Sequence, residues 1–120
     1  MIKSFFIFLG VFAVNSAISA AETVAEPKPV SYFNQIRHIL QANCQGCHQP
    51  AKAKGKYVMT NFADLLKGGD SEETAIAPGE PNNSYLIEQV TPNDKGEYEM
   101  PKGKNAKPLH GAEIELIRRW

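Results

Sequence analysis

The chain has two cysteines and one tryptophan in 120 residues, and no excess of charge, since 13 basic side chains balance 13 acidic ones. Two cysteines exclude a disulfide-rich framework. With no third cysteine and only isolated histidines at His38 and His110, a tetrahedral zinc site lacks its four ligands. The balanced charge removes the electrostatic footprint of a nucleic-acid-binding protein. No segment repeats, and no stretch alternates apolar and polar residues for long enough to suggest a sheet. The pattern predicts a small all-α domain with long loops.

Both cysteines fall in one five-residue segment, Cys44-Gln45-Gly46-Cys47-His48. C-x-x-C-H is the attachment sequence for a c-type haem. Residues three and four apart on a helical turn share a face, so both thiols can meet one porphyrin edge as thioethers. His48 follows directly and can offer its imidazole to iron as the proximal ligand. The rival readings are a disulfide or a thioredoxin-like redox pair, but the latter belongs in a βαβ pattern that is absent here and needs no histidine. One covalently bound haem c, with its iron, is the cofactor this predicts.

The N-terminus points to the same compartment. Lys3, an apolar run from Phe5 to Val14, and the small residues Ser19-Ala20-Ala21 follow the order of a secretory signal peptide, with cleavage near Ala21. Bacterial c-type haems are attached outside the inner membrane, so the protein is expected to be exported to the periplasm. The alternative is a retained anchor, although the apolar run is shorter than the roughly 20 residues that span a bilayer. Residues 1–21 are therefore read as signal peptide, 22–30 as a flexible proline-rich lead-in, and 31–120 as one domain.

Within that domain, Ser31 is a candidate N-cap for a helix over 31–43, with Phe33, Ile36 and Leu40 on its buried face. His38 on this helix reads as a surface histidine. Residues 49–56 read as a loop in which Lys52, Lys54 and Lys56 either steer an acidic redox partner or merely solvate the chain. A helix over 61–67, capped by Asn61 or Thr60 and stopped by Gly68-Gly69, would bury Phe62, Leu65 and Leu66. After turn chemistry in Ala77-Pro78-Gly79-Glu80-Pro81, residues 83–90 return to helical period with Tyr85, Leu86 and Val90 inward. The last helix carries the stripe Ile114, Ile117 and Trp120, with Glu113 placed to reach back to the amides near His110.

A low-spin carrier needs a sixth ligand, and a methionine thioether raises the potential. Met100 precedes Pro101 in a loop whose rigidity suits a distal iron ligand, whereas Met59 lies in the apolar run Tyr57-Val58-Met59 and reads as core. A five-coordinate haem, or ligation by His110 or His38, stays open as the alternative.

The order Phe33-x-x-Ile36, Asn43-Cys44-x-x-Cys47-His48, Leu65-x-x-Gly68-Gly69, Ala77-Pro78-Gly79-x-Pro81-x-x-Ser84-x-Leu86, Met100-Pro101 and Glu113-Ile114-x-Leu116-Ile117-x-x-Trp120 resembles the planctomycete-type cytochrome c domain. The resemblance spans nearly all of residues 31–120. It implies a compact cytochrome c fold with the first and last helices beside the haem, Cys44 and Cys47 as attachment cysteines, His48 as proximal and Met100 as distal ligand. The implied function is single-electron transfer between periplasmic donor and acceptor proteins rather than catalysis. Alternatives are an electron-acceptor module of a larger periplasmic oxidoreductase, or a structural or sensory haem domain. Members of that family usually continue beyond the tryptophan with more of the helix and then further domains, so the reading here is a fragment truncated in its last helix, with a minimal stand-alone domain with a shortened last helix as the alternative.

Overall fold

The computed structural model describes residues 26–120, so the signal-like segment 1–21 and residues 22–25 of the lead-in lie outside the described residues. Residues 26–30 form no regular element; Val30 packs against the core and the Lys28 carbonyl accepts from Arg119 Nη2 at 3.3 Å.

Ser31 caps the first helix as expected. Its hydroxyl accepts the Asn34 amide at 3.3 Å, and the Gln35 side chain accepts the Ser31 amide at 2.9 Å, which satisfies donors at both ends of the cap. The helix then opens in a π turn, Tyr32–Ile36, in which the Ile36 amide reaches the Ser31 carbonyl at 3.3 Å, and continues as α1, Arg37–Asn43. The π turn overturns one expectation. A wider turn rotates each residue less about the axis, so Phe33 leaves the face of Ile36 and Leu40 and is 68% exposed while those two are fully buried.

After the Cys44–Cys47 turn, β1 (His48–Gln49) pairs antiparallel with β2 (Lys52–Ala53), His48 opposite Ala53 and Gln49 opposite Lys52. The all-α expectation is thus corrected to a helix-rich fold with a small two-stranded sheet. Strands of two residues are too short to show a period of two, and so read as loop. A 3-10 turn, Lys54–Lys56, follows.

Helix α2 (Phe62–Lys67) has Asn61 as its cap, accepting the Asp64 amide at 2.9 Å, and ends at Gly68 with φ +82°. The Asn61 and Lys67 side chains bonded to Asp64 hold its carboxyl below the usual carboxylate range. Leu65 is fully buried, but Phe62 is not core: it is 46% exposed, edge-on to Tyr32 and to Trp120 at centroid distances of 5.2 and 6.0 Å. The aromatic residues expected inside therefore make a lateral cluster, while aliphatic side chains fill the interior.

The turn before α3 (Tyr85–Val90) closes around Ser84, a buried polar residue whose Oγ accepts the Ala77 amide at 2.9 Å and donates to the Glu80 carbonyl at 3.2 Å. Pro81–Asn83 form a 3-10 turn, so the helical stretch expected from 83 begins at 85. Leu86 and Val90 are buried as expected, Ile87 joins them, and Tyr85 is only half-buried. In α4 (Gly111–Arg119) the Glu113 carboxylate does accept the His110 amide, at 2.8 Å. Ile114 and Ile117 are buried and Trp120 half-buried. Helix α4 lies against α3 and against the Tyr32–Ile36 turn. Ile36, Leu40, Met59, Leu65 and Val90 are the most enclosed side chains, each contributing about 1.5–3 kcal/mol by leaving water.

Candidate functional site

The C-terminal turn of α1 delivers the motif. The amides of Cys44 and Gln45 both donate to the Leu40 carbonyl, at 2.9 and 3.0 Å, and the Asn43 side chain donates to the Ile39 carbonyl at 2.9 Å, which ties the start of the motif to the helix end. The amides of Cys47 and His48 then converge on the Cys44 carbonyl at 3.1 and 3.0 Å, which closes the five residues into one tight turn.

This turn forms one wall of a cavity of about 390 Å³. Cys44, Cys47, His48 and Met100 all line it. Met59, expected as core, has both roles: it is 1% exposed and also part of the wall. His38 and His110 are exposed and do not line it. The volume lies within the range of about 300–1,000 Å³ usual for cofactor pockets.

The donors fit a haem better than the rival readings. The cysteines are free, not disulfide-bonded, and no group of three or more His, Cys, Asp or Glu side chains that could hold a metal gathers among the described residues. Burial, with a smaller contribution from the Glu113 charge, pushes the Cys44 thiol up to about 11, so it is neutral near pH 7. His48 Nδ1 is fully enclosed and has no hydrogen-bond partner, the one such side-chain atom among the described residues. His48 as a whole is half-buried and lines the cavity, and a neutral imidazole can offer one ring nitrogen to a metal while the other keeps its proton.

The second wall is the loop after α3. The Met100 amide donates to the Gln89 carbonyl at 2.7 Å, tying that loop to the last turn of α3. The Glu99–Lys102 ion pair, at 2.8 Å, brackets Met100-Pro101 and holds the Glu99 carboxyl below its ordinary range, though both partners are about two-thirds exposed. Lys54 and Lys102 reach the cavity, but so do Asp70 and Glu73, so its rim carries both signs.

Tyr57 is the residue that sequence reasoning missed. It reads as part of a short apolar run, yet its hydroxyl donates to the Leu65 carbonyl at 2.8 Å and its ring lies 5.6 Å from that of His48. Burial, then the neighbouring Cys44 and Tyr32 groups, push its phenol far up, so it remains a donor. The available signal was the residue type: a tyrosine within an apolar run has a hydroxyl that must find a partner. The Gly68-Gly69 pair likewise does more than stop a helix. A Cβ at Gly69 would collide with the Gly55 carbonyl oxygen, so only glycine lets the two segments of wall meet.

A family model described as Planctomycete cytochrome C matches residues 44–103, from the first cysteine past the Met100-Pro101 loop. No curated protein and no solved structure matches the chain.

Proposed function

Since this chain belongs to the planctomycete cytochrome c family, we propose that it is an exported monohaem cytochrome that passes single electrons between periplasmic donor and acceptor proteins. The observation that carries the reading is the meeting of two free cysteines, a histidine and a methionine on one cavity. Cys44 and Cys47 would hold the haem by thioethers, His48 would be the proximal iron ligand and Met100 the distal one. A bound haem supplies a one-electron couple, ferrous to ferric.

The remaining work belongs to the polypeptide. The tight turn fixes both thiols and the imidazole at one end of the cavity, while Leu86 and Val90 of α3 supply apolar wall that excludes water. If His48 and Met100 both held the iron, no substrate would reach it, which would suit a carrier rather than an enzyme. Thioether ligation stabilises the ferrous state and raises the potential. Export rests on the Phe5–Val14 run and the Ser19-Ala20-Ala21 site.

The test is expression of the full chain in a host with active haem attachment, followed by acid-acetone extraction. The colour stays with the protein if the haem is covalent. Extraction of the colour, or an intact disulfide between Cys44 and Cys47 in the exported protein, refutes the reading.

A further inference from the structure

Resting on that reading and deepening it, we infer that Tyr57 is a positioning residue: its ring packing, rather than a hydrogen bond, orients the His48 imidazole. A metal-binding histidine usually donates its second ring N–H to a carboxylate, carbonyl or water, which fixes the ring plane and strengthens the ligand. His48 departs from this, since its Nδ1 is enclosed and has no partner. Three nearby carbonyls already take other donors. That of His48 accepts the Met59 amide at 2.9 Å, that of Met59 accepts Gln45 Nε2 at 2.8 Å, and that of Cys47 accepts the Lys54 amide at 3.1 Å.

What lies against the imidazole is the Tyr57 ring, at a centroid distance of 5.6 Å and an interplanar angle of 60°. Tyr57 is itself pinned. Its hydroxyl donates to the carbonyl of Leu65, a fully buried residue of α2, and its amide donates to the Lys54 carbonyl at 3.3 Å. The orientation of the ring thus passes from α2 through Tyr57 to His48. Two effects follow: the imidazole plane depends on a packing contact, and an imidazole without an acceptor at Nδ1 is a weaker electron donor, which favours ferrous iron.

The experiment uses the full chain carrying its covalent haem, in four forms: wild type, Tyr57→Phe, Tyr57→Leu and Ile117→Ala. Three properties are measured: the reduction potential, the order of the haem-methyl shifts in the ferric NMR spectrum, which reports the imidazole plane, and the melting temperature. Tyr57→Leu removes the ring and lets water accept from Nδ1, so it reorders the methyl shifts and lowers the potential. Tyr57→Phe keeps the ring but frees it from Leu65, and changes the spread of the methyl shifts with a smaller fall in potential. Ile117→Ala, a core change at a residue that does not line the cavity, lowers the melting temperature and leaves methyl order and potential at wild-type values. Tyr57 variants that melt earlier but keep the wild-type spectrum and potential reduce Tyr57 to a packing residue and overturn the inference. Where Tyr57→Leu does not fold, an unchanged spectrum in Tyr57→Phe overturns it alone. A wild-type protein without covalent haem fails earlier and differently, taking the electron-carrier reading down with this one.

Discussion

The two walls of the cavity are built in different ways. The wall from Cys44 to Met59 is stitched residue by residue: the Cys44 carbonyl takes two amides, the Met59 amide reaches His48, the Gln45 side chain returns to Met59, and Tyr57 ties the whole to α2. The wall carrying Met100 hangs from α3 by the Met100 amide, and the preceding loop mostly bonds within itself, with Asn93 accepting the amides of Lys95 and Glu97. In the first wall site and fold are one structure, whereas the second is a strap laid across a finished core. Damage to the first is expected to appear as lost stability, and damage to the second as altered spectroscopy with the fold intact.

The largest effect tests the stitched wall. Leu65→Ala removes a fully buried side chain beneath Tyr57 and is expected to cost about 2–5 kcal/mol in chemical denaturation. A cost near zero would detach the wall from the core. Next in size is Gly69→Ala, whose Cβ meets the Gly55 carbonyl oxygen; overpacking of this kind costs about 1–3 kcal/mol. Met59→Leu conserves volume and should cost less than about 1.5 kcal/mol, with the haem spectrum unchanged.

Met100→Ala tests the strap. It should leave the denaturation midpoint close to wild type, yet abolish the weak far-red band of ferric methionine ligation, admit carbon monoxide to the ferrous iron and lower the potential. If Met59→Leu produces those changes instead, the ligand lies in the stitched wall and the contrast inverts. The smallest effect is expected from Glu99→Gln. Its ion pair with Lys102 is exposed, and such pairs contribute little. Unchanged melting and an unchanged spectrum are the expected result, and a shifted spectrum would mean that the pair holds the strap.

Features encoded within a few residues are legible in the amino-acid sequence. Ser31, Asn61 and Glu113 mark helix starts because such a cap is a local contract between a side chain and an amide three positions away, and Gly68 marks the end of α2 because its φ of +82° suits a residue without a Cβ. The lining of the cavity is legible in part, through a motif whose chemistry demands its spacing. What escapes a local pattern is anything that depends on a neighbour distant in sequence. Phe33 and Phe62 look like core by period, but a π turn swings one outward, and the other is 46% exposed beside Tyr32 and Trp120. Met59 belongs to the wall because His48 and Gln45, more than ten positions away, hold its backbone.

Ser84 carries a consequence for time as well as for shape. Residues 77–84 belong to no long element, and by composition they are a proline- and glycine-rich loop that should exchange its amide protons quickly. Yet the Ala77 amide ends on a hydroxyl that is itself buried and bonded, and the amides of Tyr85 and Leu86 are taken by the carbonyls of Thr74 and Ala75. Those protons can be released only when the Ser84 knot and the first turn of α3 open together. In deuterated solvent this loop should therefore keep the slow clock of the helix it introduces, exchanging as one cooperative unit with α3.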